Sequence, residues 1–248
     1  MPVLFQHGLC GDAAQTAEVF PPGVGLRCIT LECRGHGGSE AGDVTAFSIV
    51  RFADDIAEFI AARRLAPLVV GGISMGAAIA MRLAVTQPDL VRGLVIARPA
   101  WSILAAPANM GPNAEVGELL SSMRPEAARQ AFAASGTAQR LAAESPDNLA
   151  SLMGFFSREP SVVTAALLAS ISRDGPGVDA DQLRRIAVPT LVIATGMDLV
   201  HPLPMAGELS RLIPHTRLTE ITPKGVDRRA YVAEFRDALD DFLKGFLR

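Results

Sequence analysis

Cysteine is scarce in this 248-residue chain: Cys10, Cys28 and Cys33 are the whole set, and no two are spaced C-x-x-C. Three thiols cannot all pair with one another, so the chain does not read as a disulfide framework, and reduced thiols in a cytoplasmic protein are expected. No Lys/Arg-rich run is present and the formal net charge is -3, which argues against nucleic acid or an anionic membrane as partner. Long apolar runs are missing as well. The longest one worth testing, Ala66–Met81, is broken by Gly71, Gly72, Ser74 and Gly76 and is shorter than the ~20 residues that a spanning helix needs. The opening Met1-Pro2-Val3-Leu4-Phe5 has no basic region leading an apolar stretch, so no signal peptide is expected. No His/Cys/Asp set clusters at ligand spacing, so neither a metal nor a cofactor is implied. Histidine itself is limited to His7, His36, His201 and His215.

What is present is an ordinary globular composition. Hydrophobic residues make up 49% and charged residues 20%, enough apolar material for a sizeable core. Short apolar runs alternate with amphipathic stretches, the pattern of strand–helix units in a parallel sheet. Strands are expected at Val3–Phe5, Arg27–Leu31, Leu68–Gly72, Leu94–Ala97, Thr190–Ala194 and Arg217–Ile221. The third, fourth and fifth of these are continuously apolar, as strands covered by helices on both faces would be. Phe52, Ile56, Phe59 and Ile60 share one helix face, and Tyr231, Phe235, Leu239, Phe242 and Phe246 share another; both stripes read as core packing.

From Ser102 to Arg185 the rhythm breaks. This stretch is rich in Ala, Leu and Met and is punctuated by Pro107, Pro112, Pro125, Pro146 and Pro160, which predicts short helices separated by turns. The expected fold class is α/β, with a mostly parallel, doubly wound sheet of about six strands. Residues 1–101 and 186–248 would form the core, and residues 102–185 a helical insert.

The strongest chemical signal is Gly72-Ile73-Ser74-Met75-Gly76, between an apolar strand and the helix-prone Ala77-Ala78-Ile79-Ala80-Met81. A serine on a very tight strand-to-helix turn needs glycines two residues either side, because a Cβ there would collide with the neighbouring strand and helix. Such a turn lifts the hydroxyl above the sheet, beside a helix N-terminus whose N–H groups favour developing negative charge. The second signal is His7-Gly8-Leu9-Cys10-Gly11, directly after the first strand. A His-Gly turn at that point typically supplies one N–H of an oxyanion hole. Leu9 and Met75 are therefore the expected backbone donors, with His7 beside them as a loop brace or a substrate contact. Arg98 and Trp101 follow the strand Leu94–Ala97 and are further candidates for holding substrate; Arg98 could equally pair with a structural acid, and a lone tryptophan such as Trp101 is more often packing in the insert. Phe155, Phe156 and Met153 would line an apolar pocket or hold the insert helices together.

These motifs, with Arg34-Gly35-His36-Gly37-Gly38-Ser39 after the second strand, make the chain resemble the α/β-hydrolase superfamily over nearly its whole length. The resemblance implies that the insert is a lid over the site and that the chain begins at the family's third strand, two strands short. An uncovered sheet edge could pair with a second copy, so a homodimer is a further expectation. The family places an acid after the strand that follows the lid, and Asp198 in Thr195-Gly196-Met197-Asp198-Leu199-Val200-His201-Pro202 matches it.

One element of the pattern is absent. The family usually carries Gly-His in the loop after the last strand, and here that loop reads Thr222-Pro223-Lys224-Gly225-Val226-Asp227. Without a base a serine hydroxyl is a poor nucleophile. His201, three residues past Asp198, is the first substitute; Lys224, which nearly fills the vacant place, is another. His36 reads as structural, and His215 falls at the opposite edge of the sheet. Two functions stay open. One is a serine-dependent hydrolase of a small carboxylic ester or lactone, working through Ser74, Asp198 and His201 on a small-molecule substrate. The other is a ligand-binding protein that kept the pocket and lost the base. A base nitrogen within reach of the Ser74 hydroxyl would separate them.

Overall fold

The computed structural model describes residues 1–23 and 25–247. Each of the six apolar runs forms a strand: β1 (Pro2–Gln6), β2 (Arg27–Ile29), β3 (Leu68–Ile73), β4 (Val91–Ala97), β5 (Thr190–Thr195) and β6 (Thr216–Ile221). Among the described residues they build one sheet in the order β2-β1-β3-β4-β5-β6, with every neighbouring pair parallel. Two boundaries differ from the sequence expectation by more than one residue. β2 stops at Ile29 because the Thr30 hydroxyl donates to the Phe5 carbonyl (2.8 Å) and meets the Thr16 hydroxyl (2.7 Å), so a side chain takes over from the backbone ladder. β4 starts at Val91, which pairs with Leu68 across a register irregularity before the regular ladder begins.

Alternation along the strands feeds two cores. Leu4, Val70, Leu94, Ile96 and Val192 point to one face; Val3, Phe5, Val69, Val95, Leu191 and Ile193 point to the other. All of them are fully buried, and each such side chain contributes about 1.5–3 kcal/mol relative to exposure. The second face is covered by α1 (Ala13–Val19) and the C-terminal helix (Arg228–Lys244). The first is covered by α2 (Ile49–Ala62), α3 (Met75–Thr86) and a helix at Leu203–Leu212. Local signals set these helices. α2 begins where the Ser48 hydroxyl accepts from the Arg51 N–H (3.0 Å), and it buries Phe52, Ile56 and Ile60 at helical spacing. The C-terminal helix begins where the Asp227 carboxylate accepts from Arg229 and Ala230, and it buries Tyr231, Phe235, Leu239 and Leu243.

Between β4 and β5 run α4 (Gly111–Ser122), α5 (Pro125–Ala133), α6 (Gly136–Glu144), α7 (Pro146–Phe155), α8 (Ser161–Ser172) and α9 (Ala180–Arg184). The helices Leu203–Leu212 and Arg228–Lys244 are then α10 and α11. Four of the five prolines that suggested breaks sit at α-helix starts: Pro112, Pro125 and Pro146 occupy first turns and Pro160 precedes α8, while Pro107 precedes a 3-10 turn at Ala108–Met110. There a missing N–H costs no helical bond. α4 packs along α8, whereas α9, inside the range expected for the insert, lies against the core helices α3 and α10. Among the described residues no helix is long and apolar enough to cross a membrane.

Candidate active site

Ser74 stands between β3 and α3 with φ 57° and ψ -111°, a left-handed conformation that costs a non-glycine residue energy and persists only where surroundings impose it. The surroundings are backbone. A Cβ on Gly72 would lie 2.6 Å from the Gly76 carbonyl carbon, and one on Gly76 would meet the Gln6 carbonyl. Strand β1 thus passes too close to the turn for any side chain. The Ser74 N–H donates to the Ala97 carbonyl (2.9 Å), and its carbonyl accepts from Ala77 (3.0 Å), so the turn is fixed from both sides. Met75 is the first residue of α3, and its N–H belongs to the free amide set of a helix start.

The loop after β5 brings a carboxylate and an imidazole to the same place. The His201 N–H donates to Asp198 Oδ1 (3.0 Å), closing a turn over three residues, and Met197 accommodates the reversal with φ 52°. The turn folds the imidazole back on its own acid. His201 Nδ1–H faces the Asp198 carboxylate (2.9 Å to Oδ1, 3.0 Å to Oδ2), and Nε2 lies 2.9 Å from Ser74 Oγ. A carboxylate only accepts, so the proton is on Nδ1 and Nε2 is left to accept from the serine hydroxyl.

Arg98, with φ 45° at the end of β4, holds the far side of the carboxylate. Its Nε and one terminal nitrogen reach Asp198 Oδ2 at 2.9 and 2.7 Å. The guanidinium also lies 5.8 Å from the Tyr231 ring centre and 3.8 Å from Asp147. Burial alone would raise the Asp198 carboxyl, but the His201 and Arg98 partners outweigh it and hold it well below the usual range. For His201 burial is the largest effect and lowers the imidazole below its ordinary 6.5; Asp198 opposes this and Arg98 reinforces it. The result at neutral pH is a neutral imidazole beside an ionised acid.

The helices between β4 and β5 grip this loop. Ser145 Oγ donates to the Met197 carbonyl (2.8 Å), Asn148 Oδ1 accepts from the Val200 N–H (3.0 Å), and Asn109 Nδ2 donates to the Val200 carbonyl (2.7 Å). Ser145 and Asn148 are buried. A cavity of about 260 Å³ opens beside Ser74 and His201, with Leu9 on one side and Met110, Leu152 and Phe155 on the other. Among the described residues, no group of three or more His, Cys, Asp or Glu side chains could hold a metal ion.

A sequence model of the alpha/beta hydrolase fold matches residues 1–225. The chain belongs to the α/β-hydrolase family. It is 27% identical over 125 residues to the mouse (Mus musculus) sn-1-specific diacylglycerol lipase ABHD11, a match covering 49% of this chain and 38% of the lipase. The match thus spans well under half the length of that curated relative. The crystal structure of the enol-lactonase from Burkholderia xenovorans LB400 superposes with a TM-score of 0.71 at 22% identity, over 98% of this chain and 91% of that one. That likeness is one of fold. Est816, described as an N-acyl homoserine lactone degrading enzyme, superposes with a TM-score of 0.68 at 25% identity, over 98% of this chain and 93% of its own.

Several residues expected at the site of this α/β-hydrolase chain sit elsewhere. His7 is fully buried, donates from Nδ1 to the Gly8 carbonyl (2.8 Å) and accepts from the Cys33 N–H at Nε2 (3.1 Å). Both ring nitrogens are used, so it braces the loop and has nothing to offer a substrate. Trp101 is likewise fully buried, with its indole N–H on the Asp174 carbonyl (2.9 Å). It fixes the start of the insert and does not line the cavity. Arg98 does border the cavity, but its guanidinium is committed to Asp198, the acid-pairing one of its two expected roles and not the substrate clamp. His36 is buried against His7, its rings 4.7 Å apart, and burial pushes it down to about 3. His215 is exposed at the start of β6. Lys224 reaches the cavity wall and lies 3.5 Å from Asp147. Phe155 lines the cavity, whereas Phe156 is buried against Phe132. Asn109, Ser145 and Asn148 escaped the sequence reading. Their only sequence signal is polar residues at helix starts, which is the commonest place for such residues to be mere caps.

Proposed function

We propose that the protein is a serine-dependent hydrolase of small carboxylic esters or lactones that works through an acyl-enzyme. The observation that carries this reading is the continuous hydrogen-bonded chain from Ser74 Oγ through His201 to Asp198. In the proposed cycle Ser74 Oγ attacks the substrate carbonyl carbon while its proton passes to His201 Nε2. The N–H groups of Leu9 and Met75 take the oxyanion, and the Asp198 carboxylate stabilises the imidazolium. The tetrahedral intermediate collapses, the C–O bond to the leaving alcohol breaks, and Nε2 returns the proton to that alcohol. Water then attacks the acyl-serine with Nε2 as base, releasing the acid and restoring Ser74. The helices between β4 and β5 act as the lid, supplying Met110, Leu152 and Phe155 to the acyl pocket. The named activities of relatives, a lipase and lactonases, support the substrate class. The three unpaired cysteines fit a cytoplasmic enzyme. The competing idea of a pocket that only binds calls for a hydroxyl with no base in reach, and the 2.9 Å contact to Nε2 speaks against it.

The test is hydrolysis of short-chain 4-nitrophenyl esters by wild type and Ser74→Ala. Turnover should fall by roughly 10⁴–10⁶-fold in the variant. Equal rates in the two proteins would sink the proposal.

A further inference from the structure

We infer that Asn113 is a specificity-determining residue of this cavity, and that the preferred substrate carries a hydrogen-bond donor, a hydroxyl or an amide N–H, on its acyl side. The inference rests on the proposed ester hydrolysis at Ser74. Asn113 lies in the first turn of α4, is 5% exposed and forms part of the cavity wall that includes Ser74. Its carboxamide oxygen has no hydrogen-bond partner. Burying a carboxamide oxygen unpaired is unfavourable, and such a group asks for an explanation where it occurs. Among the described residues, the other buried side-chain atoms without partners belong to Gln6, His36, Arg82 and Ser172, none of which lines this cavity.

Three other polar side chains of the wall are already engaged, and Ser151, also on the wall, is exposed. Gln15 Oε1 accepts from the Gly8 N–H (2.6 Å), Asn148 Oδ1 accepts from the Val200 N–H (3.0 Å), and Arg98 is bound to Asp198. The same wall also carries the apolar side chains of Met110, Leu152 and Phe155. A buried carboxamide oxygen left uncommitted in the cavity wall is the arrangement that discriminates by hydrogen bonding. It leaves a buried polar group unpaired whenever the ligand lacks the matching group. The last torsion of an asparagine is soft, so the oxygen can turn toward a donor once the cavity is filled.

The test uses the full-length protein carrying Ser74→Ala, titrated calorimetrically with the 4-nitrophenyl esters of butyrate, 3-hydroxybutyrate and N-acetylglycine. The two donor-bearing esters distinguish hydroxyl from amide. At least one should bind about tenfold more tightly than butyrate, and in the Ser74→Ala/Asn113→Leu protein that ratio should drop to about one. Leucine keeps the volume and removes an unpaired polar atom, so the melting temperature should hold or rise; Asn113→Ala gives the same comparison if the leucine variant does not fold. Equal affinities for all three esters, no measurable binding of any, or a preference that survives both substitutions overturns the inference. Hydrolysis of the esters by the Ser74→Ala protein would instead overturn the serine mechanism, and the same ratio would then be read from KM.

Discussion

Two loops border the cavity from neighbouring strands, and they are built very differently. The loop after β5 holds Asp198 and His201 within one turn, closed by the His201 N–H on Asp198 Oδ1 and gripped from outside by Asn109, Ser145 and Asn148. The loop after β6, where the family resemblance leads one to expect a histidine, presents Lys224 to the partly exposed Asp147 at 3.5 Å. One loop is a tied, buried carboxylate–imidazole pair; the other is a loosely paired cation at the rim. What Ser74 requires is an imidazole nitrogen at hydrogen-bond distance with an acid behind it, and the sequence separation of acid and base does not enter that requirement. A tight turn places them as well as two separate loops do, provided something else holds the turn rigid.

The sharpest way to break this comparison is to remove the candidate base from each loop in turn. His201→Ala should lower kcat/KM for a nitrophenyl ester by about 10⁴-fold. Lys224→Ala should leave it within about threefold, since a partly exposed ion pair as loose as 3.5 Å contributes little. The reverse ranking would move the base to the β6 loop. A smaller effect is expected from cutting the grip on the β5 loop. Asn148→Ala strands the buried Val200 N–H, costing about 1–3 kcal/mol of stability. It should lower kcat roughly ten- to hundredfold with KM little changed, because a base displaced by a fraction of an ångström loses alignment before the cavity loses affinity. Asn148→Asp, which keeps an acceptor, should recover most of the rate. A loss confined to melting temperature, with kcat intact, would show the grip to be structural alone.

The legibility of the molecule follows the same division. The six strands, the helix stripes and the elbow were readable because each is set by local rules: apolar runs of strand length, period-3.6 faces, and glycines where backbone crowds Ser74. Asp198 and His201 were also readable, because their contact is made within one short loop. The parts that escaped depend on contacts distant in sequence. Asn109, Ser145 and Asn148 meet residues 197–200 only after the chain has run through several helices and back into β5, and nothing in their own neighbourhood marks them. For His7, Trp101 and Arg98 the sequence leaves both a structural and a substrate-holding role open, and the structure gives each a structural partner. Position came from the strand ends, whereas the partners (Cys33, Asp174, Asp198) come from other elements.

Arg98 supplies the subtlest separation of the two loops, read in the pH profile. The groups facing His201 are Asp198, Arg98 and Asp147, and the imidazole stands below its ordinary 6.5, chiefly through burial, with Arg98 pushing the same way. A base must be unprotonated to act, so the midpoint of the acid limb of kcat/KM in the free enzyme should lie below pH 6.5. Replacing Arg98 by Gln removes a cation that opposes imidazolium formation, so the acid limb should move upward, toward or past 6.5. The rate on the plateau should fall about tenfold as Asp198 loses its second anchor. An acid limb that moves upward in Arg98→Gln assigns the base to His201 in the β5 loop, independently of how much rate the variant loses; a limb that stays in place when Arg98 is replaced takes the base away from that loop.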